Sequence, residues 1–321
     1  MYCFSPTFHI IIYKSMNNDS IVRDRIIGCV FGNAIGNAVG LPAEFLSKKQ
    51  VIAKWPKGIN GYVGDKGDWD DDDTMQMMCL LDEIVAKGRI EPTSLAARLR
   101  NWYDTDGRGC GFLVQRVLHN RKFLTAPFEA AREAWEASGF TNAPNGALMR
   151  TSVVGLLRDD VVENTVDACK ITHADPRCIG SCVVFTELIH NLVWHGKELS
   201  LNEIKEIADR YDSRIVEWVD RAAIGSLDSL DIDKRDSIGY TLIALGSALW
   251  AYFHSPDFQS GVVSVVNEGG DSDTNGAIVG ALLGAKFGFS GIPAYFKEKL
   301  ADADILMQKA EALADAVMAK R

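Results

Sequence analysis

Along most of the chain, apolar residues return every three to four positions, the repeat of a helix with one buried face. Residues 74–87 give the clearest case: Met77, Met78, Leu81, Ile84 and Val85 share a face, and Gly88 can take the left-handed conformation that ends a helix. Asp175 followed by Pro176 has the form of an N-cap with proline at the first helical position, opening a helix that runs to about Trp194 before Gly196. Ser200 and Glu203 form a capping box. Further helices are expected over residues 127–138, 161–171, 240–253, 258–266, 274–287 and 303–318. Strand-like alternation is scarce, and its best instance spans residues 8–13. The pattern predicts an all-α protein: a single compact domain of many packed helices.

Two stripes interrupt the ordinary helical pattern. Glycines stand every fourth residue at Gly28, Gly32, Gly36 and Gly40, and again at Gly276, Gly280 and Gly284. Each stripe leaves one helix face without side chains, so a second helix or a ligand can approach the backbone closely. The first stripe lies in an apolar run, residues 26–39, that is short of the roughly 20 residues a membrane span needs and carries Asn33 and Asn37. A buried helix is expected there rather than a span. The N-terminal residues 1–22 have an apolar centre but no basic start and no small-residue cleavage site, so no secretory signal is expected.

Composition narrows the function classes. At 321 residues, with 47% of them apolar, the chain can bury a large core. The 34 basic residues against 43 acidic ones leave a formal charge of -9, which argues against general nucleic-acid binding. Seven scattered cysteines without paired C-x-x-C spacing do not form a structural zinc pattern, and a reducing, cytoplasmic compartment fits them best.

Candidate chemistry concentrates in two acidic segments. Asp68, Asp70, Asp71, Asp72 and Asp73 put five carboxylates within six residues, directly before a helix. Their mutual repulsion is costly unless a cation sits among them; a solvated acidic turn favouring the positive helix end is the alternative. The second segment is Gly269-Gly270-Asp271-Ser272-Asp273-Thr274, in which two glycines allow a sharp turn and Asp271, Asp273 and the Thr274 hydroxyl can converge at a helix start. Hard oxygen ligands of this kind suit magnesium, manganese or calcium rather than zinc. Two such clusters suggest one shared binuclear site in a central cleft.

Other residues signal more weakly when taken alone. Glu44 follows the first glycine-rich helix and has the local context of a surface acid. The run from Asn145 and Gly146 to Arg150 offers an amide, a bare backbone and a cation, or simply a turn. His173 stands between two helices, where a cap or core role is common. The Gly107, Gly109 and Gly111 loop can present amide groups to a phosphate.

These segments occur in the order and nearly the spacing of the ADP-ribosylglycohydrolase family, which the chain resembles over about residues 23–290. The most specific match is residues 269–288, GGDSDTNGAIVGALLGAKFG, which resembles the family's C-terminal metal motif. Residues 26–45 resemble its opening motif, Asp72-Asp73-Thr74 its first metal motif, and the segments from Asn145 to Arg150 and at Thr172-His173 the two between. Three positions depart from the family pattern: Asn37 replaces an aspartate, Asp71 a threonine or serine, and Pro144 a glycine.

The resemblance implies an all-α fold holding two Mg2+ or Mn2+ ions, with Asp71, Asp72, Asp73, Asp271, Asp273 and Thr274 as ligands. It implies Glu44 as catalytic acid or base, and Gly109, Gly111, Asn145, Gly146 and His173 as the lining of an ADP-ribose site. The activity it implies is hydrolysis of ADP-ribose from modified protein side chains, arginine N-linked first, with serine-linked or O-acetyl ADP-ribose as the alternative. A catalytically silent binding protein is a further alternative, since the resemblance extends to eye-lens crystallins. Some members of the family act as immunity proteins. A cognate ADP-ribosyltransferase toxin is therefore an expected partner, contacted by residues 1–22 as an N-terminal extension to a domain of residues 23–321. That extension could equally pack on its own domain, add a strand to a partner, or be disordered.

Overall fold

A computed structural model describes residues 6–319, with side chains from Asn18 onward. Its α-helices in chain order are α1 (Pro6–Gly40), α2 (Lys48–Lys54), α3 (Asp72–Lys87), α4 (Pro92–Thr105), α5 (Phe112–Leu118), α6 (Pro127–Glu136), α7 (Val161–Lys170) and α8 (Pro176–His190). There follow α9 (Leu201–Asp209), α10 (Ser213–Ile224), α11 (Thr241–His254), α12 (Phe258–Val266), α13 (Ser272–Gly291), α14 (Ala294–Glu298) and α15 (Ala303–Met318). A 3-10 helix, Leu148–Leu156, is buried along its whole length. Among the described residues, extended pairing is confined to three isolated bridges: Ser47 with Gly269, Gly67 with Leu300, and Pro144 with Tyr240.

The centre of the fold is the pair α1 and α13, which share the most extensive contact in the molecule. Their glycine stripes explain it. Gly28, Gly32, Gly36 and Gly40 face Gly284, Gly280, Gly276 and Ser272 in reverse order, and a methyl group at any of the four α1 positions would strike the facing carbonyl oxygen. A helix, rather than a ligand, is what the bare faces admit. Because the two run antiparallel, the end of α1 lies beside the start of α13, and Ser272 fastens them by donating its hydroxyl to the Gly40 carbonyl at 2.8 Å. Around this pair pack α11, α12, α15 and the 3-10 helix, and α3 and α8 pack against both the 3-10 helix and the central pair.

The apolar segment Asn18–Ala43 is long enough to cross a membrane by composition, but 89% of its most apolar window is buried within the fold. Its hydropathy is that of a core helix, as expected for residues 26–39. Several helix ends form as the sequence predicts. Gly88 is left-handed (φ 71°), Asp175 accepts from the Arg177 amide, and Ser200 with Glu203 makes the full capping box.

One expectation is corrected. Residues 8–13 lie within α1 rather than in a strand. The stretch FHIIIY is six residues long, and periodicity cannot separate a strand from a helix in so short a window. Residues 22 and 23, the expected domain boundary, are neighbours inside the same helix. Helices α2, α4, α5, α10 and α14 fall where the periodicity assigns nothing; α5, at seven residues, is too short for a repeat to register.

Candidate metal centre

The antiparallel pair decides which residues meet. Beyond α1, a short 3-10 turn (Leu41–Ala43) carries Glu44, and Phe45 adopts a left-handed φ of 58°. The turn and the opposite segment exchange two backbone hydrogen bonds: Phe45 donates to the Gly270 carbonyl and Gly270 donates back to the Leu46 carbonyl, each at 2.7 Å. Gly269 and Gly270 are both left-handed, with φ of 75° and 71°. Side chains there would strike the backbones of Leu46 and Ile232, so the two glycines permit the clasp. Asp271 is then the N-cap residue of α13, and Asp273 and Thr274 lie in its first turn.

The second group comes from α3. Asp71 is its N-cap, accepting from the Asp72 amide at 2.9 Å, and Asp72 and Asp73 occupy the first turn. Asn37 of α1 donates to the Thr74 hydroxyl at 3.1 Å, tying the start of α3 to the central pair. Asparagine in place of the family's aspartate thus touches a helix start and not the carboxylate set.

Two triads result, each able to bring one ligand atom per residue within 4.8 Å of the others: Glu44 with Asp271 and Asp273, and Asp71 with Asp72 and Asp73. They belong to one site. Asp73 raises the proton affinity of Asp273, Asp271 raises that of both, and Asp72 feels Asp71, Asp271 and Glu44. Burial is the largest cause throughout. It pushes Asp73 and Asp273 well above the usual carboxylate range, Asp72 to about 8 and Glu44 to about 7, with the neighbouring acids adding to each. Both carboxylate oxygens of Asp73 and Oδ1 of Asp273 are buried without a hydrogen-bond partner. Such oxygens are costly in a protein interior unless a cation meets them. The donor set is all oxygen and stands at two helix N-termini, which fits hard divalent cations.

The remaining sequence candidates surround this cluster. A Cβ at Gly109 (φ 73°) would lie 2.6 Å from Asp71 Oδ1 and 2.7 Å from Asp72 Oδ1, so this loop rests directly on the α3 carboxylates. Arg108 secures it by pairing with Asp70 and Asp106. Asp70 is therefore engaged outside the cluster, and Asp68 accepts from the Asp70 amide. Gly111 is the exposed N-cap of α5, with open space around it. Asn145 donates to Asp271 Oδ2 at 2.7 Å. Gly146 faces the His173 ring, and His173 is buried with its Nε2 unpartnered. Burial and the Arg150 charge hold His173 well below its ordinary pKa, so the ring is neutral.

Sequence reasoning missed three contributors. Gln76 donates to Asp72 Oδ2 at 3.1 Å and accepts from Arg150 Nη1 at 2.8 Å, linking the acids to a fully buried guanidinium. Gly239 (φ 79°) accepts from the Asn145 amide and stands next to Asp271 Oδ2. Arg177 holds the adjoining loops in place: it pairs with Asp175 at 2.6 Å, donates to the Thr141 carbonyl at 2.8 Å and sits over the Tyr240 ring. For Gln76 the available signal was position, one turn after Asp72 on the same helix face. The other two carry no motif.

Comparison with known proteins finds relatives that match over most of the chain. The sequence model described as ADP-ribosylglycohydrolase matches residues 18–321. An uncharacterised protein of Archaeoglobus fulgidus is 28% identical over 91% of this chain and 96% of its own length. The ADP-ribosyl-[dinitrogen reductase] glycohydrolase of Rhodospirillum rubrum is 26% identical, covering 87% and 91%. An ADP-ribosylarginine hydrolase of Serratia proteamaculans is 26% identical, covering 90% and 79%. Among solved structures, an ADP-ribosylglycohydrolase-related protein complex superposes with a TM-score of 0.72 at 25% identity, over 93% of this chain and all of the other.

Proposed function

Because this chain belongs to the ADP-ribosylglycohydrolase family, we propose that it is a metal-dependent hydrolase that releases ADP-ribose from modified arginine side chains. The family supports ADP-ribosyl hydrolysis in general; the relatives named for arginine and dinitrogen reductase support the finer reading. The observation that carries it is the meeting of two acidic segments, Asp71 to Asp73 and Asp271 to Asp273, some 200 residues apart in sequence, around buried oxygens that lack partners.

Asp71, Asp72 and Asp73 would hold one divalent ion, Mg2+ or Mn2+, and Asp271, Asp273 and Thr274 a second. Bound there, the ions would supply charge stabilisation and a polarised water. The protein's own residues do the rest. Glu44 is half-buried beside Asp271 and Asp273, where its carboxyl can serve as acid or base for the leaving guanidine. Asn145 orients Asp271 through its 2.7 Å hydrogen bond. Gly109, Gly111 and Gly146 expose backbone where phosphates and ribose would lie, and His173 closes the wall behind Gly146.

The test is release of ADP-ribose from a mono-ADP-ribosylated arginine substrate with and without Mg2+ or Mn2+, beside Asp273→Ala and Glu44→Ala. Metal-dependent release that both substitutions abolish is expected. Release only from serine-linked or O-acetyl substrates would refute the arginine assignment. The same chemistry would reverse the action of an ADP-ribosyltransferase toxin. Binding of such a toxin by the intact chain, and its loss on deleting residues 1–20, tests whether the N-terminal residues are the contact.

A further inference from the structure

Behind the ligand wall, three buried side chains form a chain whose hydrogen-bond directions are fixed by chemistry. Arg150 is fully buried, and a guanidinium has donors only. It gives Nη1 to Gln76 Oε1 at 2.8 Å, while Nη2 faces the Thr172 hydroxyl oxygen at 2.5 Å and the Ala168 carbonyl at 3.2 Å. Thr172 is therefore an acceptor toward Arg150. Its Oγ1 also lies 2.7 Å from His173 Nδ1. Were Nδ1 protonated, two hydrogens would be directed at the same oxygen and the buried Thr172 hydrogen would be left without an acceptor. With Nδ1 unprotonated, the Thr172 hydrogen has its acceptor there.

A neutral imidazole that accepts at Nδ1 carries its proton on Nε2. His173 is 1% exposed, and that Nε2 is buried with no partner in the protein. What lies next to it is a missing side chain: a Cβ at Gly146 would stand 3.4 Å from both Nε2 and the Val114 side chain. Asn145, the next residue, donates to Asp271, so the Gly146 backbone beside this Nε2 adjoins the acidic cluster.

We infer that Arg150 and Thr172 are positioning residues that lock His173 in its Nε2–H form, so that the ring offers the nucleotide part of the ligand a neutral hydrogen-bond donor and never an acceptor. The ligand class rests on the function proposed above; the proton arrangement does not. Atoms that satisfy this donor are ring nitrogens, hydroxyls and phosphate oxygens, all present in ADP-ribose.

Histidine-labelled protein, with the His173 signal assigned from His173→Gln, reports the tautomer by long-range 1H–15N correlation. The parent should show Nε2–H, and ADP-ribose should shift that proton. Thr172→Val should release the ring into mixed tautomers and weaken ADP-ribose binding about five- to twentyfold, the loss of one directed hydrogen bond, while Thr172→Ser restores both. An Nδ1–H ring in the parent overturns the inference with no variant needed. So does a Thr172→Val protein that keeps both tautomer and affinity, or ADP-ribose binding that leaves the Nε2 proton unmoved. A parent that does not bind ADP-ribose at all refutes the proposed function and the ligand's part here, and the tautomer measurement still decides the arrangement.

Discussion

Gly109→Ala separates the backbone role of this residue from its place beside the carboxylates. Alanine at φ 73° costs about 1–2 kcal/mol, because the left-handed conformation crowds its Cβ against the backbone. The new methyl would also lie 2.6 Å from Asp71 Oδ1 and 2.7 Å from Asp72 Oδ1, roughly 1 Å inside ordinary packing distance. Two of the three acids in one triad must then turn away. Displacing groups that orient ligands typically weakens metal binding about 10- to 100-fold. Two assays therefore apply: urea denaturation with chelator present reads the backbone cost, and Mn2+ titration by calorimetry reads the displaced carboxylates. Gly111→Ala is the internal control, since Gly111 has φ -62° and open space around it, and both readings should stay at the parent's values. Mn2+ binding by Gly109→Ala as tight as the parent's would refute the placement of this loop on the α3 acids.

Four further outcomes follow from the same structure. Glu44 and Asp72 are pushed up to about 7 and about 8, so the folded metal-free chain binds more protons than the unfolded one between about pH 4 and 8. Its stability should fall as pH rises through that window, and divalent metal at pH 8 should restore it; urea midpoints with chelator and with Mn2+ check the sign. Gln76→Leu leaves Arg150 Nη1 and Asp72 each short of a partner and should cost about 2–4 kcal/mol by denaturant unfolding. Asp175→Ala removes an N-cap, the Trp135 acceptor and the partner of Arg177, for about 3–5 kcal/mol and a lower melting temperature. Asp73→Asn should raise chelator-state stability while abolishing metal binding, since a neutral amide ends the repulsion among buried acids; a Mn2+ titration unchanged from the parent would count against the cluster.

How much of this was legible depended on whether a residue's role is local. The carboxylate runs before α3 and α13 were visible because ligands for a hard cation come from neighbouring residues at a turn, and Gly269-Gly270 announces the turn. Capping at Asp175 and Ser200 was visible for the same reason. The glycine stripes announced close approach but not the partner, since an empty face is the same whether helix or ligand fills it. Glu44 had no local signal beyond its place after a helix; only the antiparallel pairing puts it against Asp271 and Asp273. Gln76 reaches Arg150 across 74 residues, Gly239 reaches Asn145 across 94 and Arg177 reaches Thr141 across 36, through contacts that no periodicity encodes.

The antiparallel pair also sets an order of events for the chain as it is made. Gly36 and the residue it faces, Gly276, are about 240 residues apart, and closing so long a loop carries an entropy cost that grows with the logarithm of its length. Until α13 has emerged from the ribosome, α1 has an apolar helix with a bare glycine face and nothing to cover it, a surface that invites chaperones or aggregation. During that interval a metal ion can find only the Asp71, Asp72 and Asp73 triad, because the other triad is split between the two ends of the open loop. On the function proposed above, the second carboxylate triad is complete only after this last long-range pairing, and a full-strength Mn2+ signal during refolding would mark the moment that α1 and α13 lock together.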